Sequence, residues 1–586
     1  MKSFLKTVLA TFIGAGLSIL ILFLFVSTLI GSIASLGEEK AVDVPSSAVL
    51  NINFSTPIAE QSVKDPFDIS SIIPYGGMES SNKIGLYKFI TAIDKAAEDP
   101  AIKFVLLNTN NLNLSFSYCE EIREALLRFR ESGKPIIAYA ENFTQSGYYL
   151  ASVADKIYID PMGSNYIIGV SANLFFLKDL LSKLGVEMQL IRHGKYKAAG
   201  EQFIANNISE ANYEQNHSMV NSLWETMSEA ICASRKIEIK DLNAKINSLS
   251  LTTPKELLEA GLIDGIKYKD EIEKDLTDLY GVEKYKDIKW ISLDKYADAR
   301  IKSNYKAKDK IAVVYAYGEI VSGDKEGLSS IKYREALNKV RNDSTIKAVV
   351  LRVNSPGGDA QAAEVIRREI ELIQKDKPII VSYGDYAASG GYWISAGADK
   401  IFTNKSTLTG SIGVFSMLPN GEKAIKNKLH ITPVSISTHK HSAMMSLTKP
   451  LDKTETESLQ KSIEVVYDKF LGIVSEGRSM SIEEVDEVAQ GRVWTGIQGI
   501  EVGLTDEIGG LYDAINYAIS ISELDNYKLV EYPKVESSVD KMMKSLEKTA
   551  SAASAFTDPT KAFKTLYQYM IDQQGVMARI PYNIVF

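Results

Sequence analysis

The most constraining feature of this 586-residue sequence is that it contains the same pattern twice. Three segments of the first half recur in the same order in the second half, displaced by 242 to 244 positions. The matching pairs are AIKFVLLNTNN (101–111) with TIKAVVLRVNS (345–355), GKPIIAYAENFTQSGYYLASVADKIYI (133–159) with DKPIIVSYGDYAASGGYWISAGADKIFT (376–403), and EAGLIDGI (259–266) with EVGLTDEI (501–508). Such ordered self-similarity predicts an internal duplication. We place the two units at residues 45–300 and 308–540, joined by DARIKSNYKAKDK.

Each predicted unit alternates apolar strands with amphipathic helices. The first unit runs through AVLNINF, LYKFITAIDKAAED, FVLLNT, YCEEIREALLRFRESG and PIIAYA, and the second repeats this order from KIAVVYAYGEIV to PIIVSY. Continuous apolar strands separated by helices are typical of a parallel sheet that is covered on both faces. The predicted fold class is therefore α/β, with one parallel sheet in each unit.

The first 40 residues form a predicted transmembrane helix. Lys2 and Lys6 are followed by no charged residue until Glu38, and this stretch exceeds the roughly 20 apolar residues that cross a bilayer. A cleaved signal peptide has an apolar core of about 7–15 residues, so a retained anchor at 1–40 is favoured, although SIAS leaves cleavage open. The two lysines predict a cytoplasmic amino end, which places the rest of the chain across the membrane, in a periplasm-like space if the source is bacterial.

The composition excludes several classes of function. The net charge of −8 at pH 7 argues against nucleic acid as the main partner. Cys119 and Cys232 are the two cysteines, too few for a disulfide framework, and the five histidines show no metal-ligand spacing. We therefore expect chemistry that needs no metal and no cofactor.

The two units differ at the end of one strand. In the second unit AVVLRVN runs into SPGGDA, which contains Gly357 and Gly358, whereas the first unit has TNNLNL there. Paired glycines let backbone N–H groups turn towards a developing anion, because no Cβ blocks the approach. A tight turn into the next helix would also explain the glycines, but the first copy does without them. Gly357 and Gly358 are therefore candidate oxyanion-hole donors.

A second difference is Ser389 in YAASGGYW (386–393). The first unit has NFTQSGYYL, in which Gln145 or Ser146 falls opposite Ser389 and only one of the two glycines is kept. A serine among small residues is often structural. Because Ser389 follows a glycine-rich strand end by one βα unit, we interpret it as a nucleophile at the start of a helix.

A serine nucleophile needs a base, and the residues leave two choices open. His430, His439 and His441 lie in a polar stretch without GxSxG or an Asp–His pattern, which disfavours a Ser-His-Asp triad. The first unit offers Lys195 and Lys197 in GKYKAAGEQF, where small residues leave room for a surface that covers an amine. Burial lowers the pKa of a lysine, and a neutral amine can act as general base. The alternative without a catalytic role is that both lysines are solvated on a surface turn.

Five motifs together resemble the signal peptide peptidase SppA family, also called protease IV. They are YAASGGYW, STLTGSIGVF, NSPGGDA, GKYKAAGEQF and GRVWTG…GLTDEIGG. The resemblance extends from about residue 10 to residue 540, in the order of the long bacterial form with its amino-terminal anchor and two tandem repeats.

The resemblance implies roles for individual residues. Ser389, the serine of SGGYW, would be the nucleophile. Lys197, the lysine of Y-K-x-A, would be the general base, which selects it over Lys195. Ser411 in TGSIG would support the lysine amine, and the two SPGG glycines would supply oxyanion N–H groups. The first repeat would then carry the base and the second repeat the nucleophile.

The resemblance also implies a fold, an assembly and an activity. Each repeat would be ClpP/crotonase-like, and the chain would form a homotetramer on the bacterial inner membrane, single-pass, with its catalytic region on the periplasmic side. It would be a serine endopeptidase that degrades cleaved signal peptides and other apolar peptides. The tail, 541–586, matches no family motif known to us and is a candidate subunit contact. The alternatives are a crotonase-like acyl-CoA enzyme with a carboxylate base and a catalytically inactive membrane scaffold.

Overall fold

The computed structural model describes residues 14, 42–64, 82–302, 304–535 and 577–579. The predicted anchor, 1–40, lies outside the described residues except for Gly14, and so does most of the tail. Among the helices of the described ranges, none is both long and apolar enough to cross a membrane.

The first half contains nine strands and ten α-helices in its described residues, together with a short 3₁₀ helix at Tyr285–Asp287. The strands are β1 (Ala48–Ile52), β2 (Ile58–Ala59), β3 (Ile84–Gly85), β4 (Ile102–Asn108), β5 (Ile136–Ala140), β6 (Lys156–Ile159), β7 (Glu187–His193), β8 (Gly265–Ile266) and β9 (Trp290–Ser292). The helices are α1 (Leu86–Glu98), α2 (Phe116–Glu131), α3 (Gln145–Ala151), α4 (Lys178–Leu184), α5 (Glu201–Ile204), α6 (Glu210–Arg235), α7 (Ile239–Asn247), α8 (Pro254–Glu259), α9 (Lys269–Tyr280) and α10 (Leu293–Arg300).

The second half, with the described part of the tail, contains thirteen strands and seven α-helices in its described residues, and a π-helix at Ala424–Lys428. The strands are β10 (Asp309–Tyr317), β11 (Ile320–Val321), β12 (Leu328–Ser329), β13 (Ile346–Ser355), β14 (Gly357–Asp359), β15 (Ile379–Ala388), β16 (Lys400–Thr403), β17 (Leu408–Gly410), β18 (Val414–Asn420), β19 (Val493–Thr495), β20 (Glu507–Ile508), β21 (Tyr527–Tyr532) and β22 (Met577–Arg579). The helices are α11 (Ser330–Asn342), α12 (Ala360–Gln374), α13 (Gly390–Trp393), α14 (Lys453–Arg478), α15 (Ile482–Val488), α16 (Gly496–Glu501) and α17 (Leu511–Ile521).

The two halves contain sheets of the same strand order. The first sheet runs β8-β6-β5-β4-β1-β9, and all of its pairings are parallel. The second contains the equivalent path β20-β16-β15-β13-β10-β21, also parallel, and adds β17, which pairs with β15, and β19, which pairs antiparallel with β17. The predicted α/β class with parallel sheets is therefore confirmed, and the repeated strand order agrees with an internal duplication.

Local sequence explains why these elements form. Central strand β13 is buried from Ala348 to Ser355, as expected for a strand covered by helices on both faces. Helix α12 follows it, and Asp359 caps the helix by accepting a hydrogen bond from the Ala362 N–H at 2.7 Å. The buried stripe of α12 is spaced by three and four residues, which is the helical period. In this arrangement the end of β13 at Ser355 lies against the second glycine that follows Ser389.

A third sheet joins the two halves. Its order is β12-β11-β14-β22-β18-β7, so β7 of the first half lies beside β18 of the second. These two strands pair antiparallel over seven residue pairs, from His193 opposite Val414 to Glu187 opposite Asn420. The pairing fixes the segment that follows β7 against the segment that precedes β18.

A buried ion network also ties the halves together. Arg352 on β13 is fully buried, and its guanidinium lies 2.9 Å from Glu60 and 2.8 Å from Glu121, both in the first half. Glu121 also accepts hydrogen bonds from the Asn404 side chain and from the Leu511 N–H. Burial opposes the charge of Arg352, but the two carboxylates raise its pKa above the ordinary value. The network therefore satisfies charges that neither half could bury alone.

We expect Arg352→Met to weaken the packing of the two halves. It leaves two buried carboxylates without a counter-charge, which costs about 3–5 kcal/mol of unfolding free energy. Because burial raises the pKa of Glu121, the loss should be smaller at acidic pH, where the protonated carboxyl needs no counter-charge. Chemical denaturation at two pH values measures both effects.

The control for this variant is Lys255→Met, which removes an exposed ion pair with Glu259. That change should alter the free energy of unfolding by less than about 1 kcal/mol. Equal effects of the two substitutions would contradict a buried network that holds the halves together.

Candidate active site

Ser389 lies at a sharp corner between β15 and α13. Its backbone has φ 55° and ψ −114°, a conformation that is rare for a residue with a side chain. The corner is held by hydrogen bonds from the Ser389 N–H to the Gly410 carbonyl and from the Trp393 N–H to the Ser389 carbonyl, both at 2.8 Å. Ser389 is fully buried. The predicted position at the start of a helix is therefore present, with backbone strain that the sequence did not reveal.

The paired glycines lie directly against this corner. An ideal Cβ on Gly390 would come within 3.2 Å of the Gly357 Cα and of the Gly358 nitrogen. Gly358 has φ +158°, and a Cβ there would lie 2.0 Å from the Ile320 carbonyl oxygen, so only glycine fits. The Gly357 N–H donates to Ser355 Oγ at 3.2 Å. The structure thus places both predicted oxyanion glycines beside Ser389.

Lys197 reaches this corner from the first half. Its amine lies 2.7 Å from Ser389 Oγ, and 3.0 Å from both the Oγ and the carbonyl oxygen of Ser411. Its side chain is only 1% exposed. Burial lowers the pKa of Lys197 well below its ordinary value of 10.5, because a charged amine is poorly solvated there. The three predicted side chains therefore meet within one chain, without a second subunit.

Glycines pack around the stem of Lys197. An ideal Cβ on Gly491, which has φ +78°, would lie 2.5 Å from Lys197 Cβ, and one on Gly413 would lie 3.1 Å from Lys197 Cδ. Arg192 Nη1 donates to the Lys197 carbonyl at 2.7 Å. Gly491, Gly413 and Arg192 were not predicted from the sequence as parts of the site. Gly491 begins the GRVWTG motif and Gly413 ends the TGSIG motif, so these two motifs could have indicated both glycines.

The other candidate bases lie elsewhere. Lys195 is exposed and places its amine over the ring of Tyr196. His430, His439 and His441 lie in the segment between the π-helix and α14. In the described part of the chain, Lys197 is the titratable side chain that hydrogen-bonds to the Ser389 hydroxyl.

One side-chain cluster could in principle hold a metal ion. His441, Asp452 and Glu455 each place a ligand atom within 4.8 Å of the others. However, the Lys449 amine donates to Glu455 Oε1 at 2.7 Å, and this is the oxygen that lies 3.1 Å from His441 Nδ1. A bound cation would therefore compete with the ammonium group of Lys449. The cluster therefore does not fit a metal site.

The described part of the tail contacts the glycine strand. Strand β22 pairs antiparallel with β14, with Gly358 opposite Ala578, and also pairs with β18 through Phe415 opposite Met577. The contact lies within the same chain. The predicted contact of the tail with another subunit stays a prediction.

A serine at a strained corner, flanked by glycines and opposed by a buried base, is typical of a serine protease. The sequence matches the family model of peptidase family S49 twice, at residues 128–283 and 371–525. The chain belongs to peptidase family S49, with one family repeat in each half.

Several curated relatives support this membership over most of the chain. Protease 4 of Haemophilus influenzae is 36% identical over 509 residues, which cover 84% of this chain and 82% of the relative. Protease 4 of Salmonella typhi is 35% identical over 79% of this chain and 76% of the relative. The chloroplastic serine protease SPPA of Arabidopsis thaliana is 32% identical over 83% of this chain and 72% of the relative.

The search of solved structures matches a ClpP1 variant from Listeria monocytogenes. This match covers 35% of this chain and 94% of the ClpP1 chain, at 18% identity and a TM-score of 0.24. A score this low carries no argument about the fold, so the assignment to the α/β class rests on the sheets described above.

We expect Gly491→Ala to displace Lys197 and to lower peptide hydrolysis by about 100-fold, since misplacing a reacting group by about 1 Å has this effect. The control is Gly503→Ala, which has nearly the same φ of +76° but places its Cβ 3.8 Å from the nearest atom, Met480 Sδ. Both variants carry the backbone cost of about 1–2 kcal/mol for a left-handed alanine. Equal activities of the two purified variants would contradict the contact between Gly491 and Lys197.

Proposed function

We propose that this protein is a membrane-anchored serine endopeptidase with a Ser/Lys dyad, Ser389 as nucleophile and Lys197 as general base. The observation that carries the proposal is the 2.7 Å contact between the Lys197 amine and the Ser389 hydroxyl inside the protein. Burial lowers the pKa of this amine, which favours the neutral form, whose lone pair can accept a proton. The same contact argues against an inactive scaffold, and the lysine base argues against the carboxylate base of an acyl-CoA enzyme.

Ser411 supports both protonation states of the amine. A neutral amine has two N–H groups and one lone pair, so the two Ser411 oxygens can accept the N–H groups while Ser389 donates to the lone pair. After the amine takes the serine proton, its three N–H groups match the three surrounding oxygens. Lys197 can therefore accept the proton without losing a partner.

The proposed reaction has two stages, acylation of Ser389 and hydrolysis of the acyl-enzyme. Ser389 Oγ attacks the peptide carbonyl as its proton moves to Lys197, and backbone N–H groups of Gly357 or Gly358 stabilise the oxyanion, typically by about 2.7–4 kcal/mol for each donor. Lys197 returns the proton to the leaving amine, the C–N bond breaks, and an acyl-serine remains. A water molecule, deprotonated by Lys197, hydrolyses the ester and restores the Ser389 hydroxyl.

The edge of β14 suggests how a peptide is bound. Strand β14 is paired on both sides, with β11 and with the tail strand β22, so an extended peptide would take the place of β22 along this edge. An endopeptidase must hold its substrate extended, because a folded segment hides the scissile carbonyl. The tail pairing supports an extended peptide lying along β14.

The membrane and assembly assignments belong to the same proposal. Residues 1–40 anchor the chain by a single span in the bacterial inner membrane, with residues 45–300 and 308–540 as two domains on the periplasmic side and 541–586 as a tail. Four copies form a homotetramer. The names of the relatives, Protease 4 and serine protease SPPA, support proteolysis, and the anchor supports apolar substrates such as cleaved signal peptides.

We expect Ser389→Ala to lose peptide hydrolysis and Lys197→Ala to lose about 10²–10⁴-fold, the usual contribution of a general base. Lys195→Ala is the control, because that lysine is two residues away and exposed. It should keep wild-type activity. Hydrolysis of an apolar fluorogenic peptide measures all three, with circular dichroism to verify folding. Activity in Lys197→Ala equal to that of Lys195→Ala would exclude Lys197 as the base.

The dependence of kcat/KM on pH should follow deprotonation of Lys197. The neutral amine is the active form, so the rate should fall as pH drops through the lowered pKa and protonates the amine. The acidic limb of the plot of kcat/KM against pH, where the rate rises as Lys197 loses its proton, should therefore lie well below pH 10.5. A pH profile of the wild-type protein checks this, and a limb near the ordinary lysine value would contradict a neutral base.

A further inference from the structure

One short turn is hydrogen-bonded both to the residue before Lys197 and to Ser411, which binds the Lys197 amine. The turn at residues 489–492, here called the backing turn, accepts a hydrogen bond from the Tyr196 N–H at the Gln490 carbonyl, 2.9 Å away. Its Arg492 carbonyl accepts from the Ser411 N–H at 2.7 Å. Because Tyr196 directly precedes Lys197, the backing turn sets the position of the lysine and of its supporting serine together.

The backing turn is held in an unfavourable conformation. Gln490 has φ +52°, although it carries a side chain, and Gly491 follows with φ +78°. A non-glycine residue in the left-handed region persists only when its surroundings impose it, and such residues cluster at active sites.

Two side chains outside the turn hold Gln490. The Tyr467 hydroxyl on α14 accepts from the Gln490 N–H at 3.3 Å and donates to Asp486 on α15. The Gln490 amide donates to the same Asp486 carboxylate at 2.6 Å. Both the backbone and the side chain of Gln490 are thus fixed by one hydroxyl–carboxylate pair.

Tyr467 also contacts the strand that leads to Lys197. Its ring stacks on His193, the last residue of β7, with centroids 3.8 Å apart, and Glu464 on the same helix pairs with His193 Nδ1. Tyr467 is only 2% exposed. One side chain therefore contacts both the strand before Lys197 and the turn behind it.

We propose that Tyr467, Asp486 and Gln490 are positioning residues for the general base, acting through the backing turn on Lys197 and Ser411. The inference rests on the proposed Ser/Lys function. Tyr467 and Asp486 do not touch the reacting atoms: they keep Gln490 left-handed, and Gln490 keeps Gly491 against the lysine stem. Without them the turn relaxes, and water gains access to the amine.

The test is Tyr467→Phe, which keeps the ring on His193 and removes the hydroxyl. We expect kcat to fall by about 10- to 100-fold, as when a supporting contact of a reacting group is lost, while KM changes little. Water at the amine lessens the burial that lowers its pKa, so the limb of the pH profile should move to higher pH.

The matched control is Tyr333→Phe. Its hydroxyl is likewise buried and donates to a backbone carbonyl, that of Tyr315, at 2.6 Å, but it belongs to α11 and not to the backing turn. It should lower thermal stability without moving kcat or the pH limb. If Tyr467→Phe behaves like Tyr333→Phe, Tyr467 is a core residue and the proposal is wrong.

A second variant covers the case in which Tyr467→Phe does not fold. Gln490→Ala keeps a side chain at φ +52° and the backbone N–H that binds Tyr467, so the local backbone cost is similar while the amide that binds Asp486 is lost. We expect the same fall in kcat and the same shift of the limb. A wild-type profile would overturn the proposal.

Failure of this inference can be distinguished from failure of the proposed function. If Ser389→Ala and Lys197→Ala are inactive but Tyr467→Phe and Gln490→Ala match the wild type, only the positioning role is lost. If Ser389→Ala or Lys197→Ala hydrolyses the peptide at the wild-type rate, the dyad itself is wrong.

Discussion

The antiparallel pairing of β7 with β18 is the constraint on which the site depends. His193 lies opposite Val414, so Lys197, four residues after His193, comes back along the edge towards Ser411, three residues before Val414. Neither parallel sheet contains both Lys197 and Ser389. The proposed base and nucleophile therefore come together only because strands from the two halves share a third sheet, and the buried network around Arg352 holds those halves in place.

Burial of the Lys197 amine lowers the stability of the folded protein but favours the proposed role of this amine as general base. A protonated amine would be favoured in water, whereas the protein keeps this one almost fully buried beside three oxygens. Ser389, Ser411 and Gln490 all have positive φ, and each such residue costs on the order of 1–3 kcal/mol. The rest of the fold must offset these costs.

The fold and the serine corner could be predicted from the sequence because both leave local signals. The repeat predicts equivalent sheets, and the glycine-rich corner around Ser389 differs between the two copies. Lys197 was separated from Lys195 only through the family resemblance. The contacts of Gly491 with Lys197 and of Tyr467 with His193 could not be predicted, since each joins residues that are hundreds of positions apart. The positive φ angles of Ser389, Ser411 and Gln490 likewise could not be predicted from their residue types.

The order of the site's parts along the chain has a consequence for biosynthesis. Lys197 is made first, Ser389 almost two hundred residues later, and the backing turn about one hundred residues after that. A ribosome-bound chain that already exposes the serine still lacks the turn that places its amine. The site is therefore complete only after most of the second half has been synthesised.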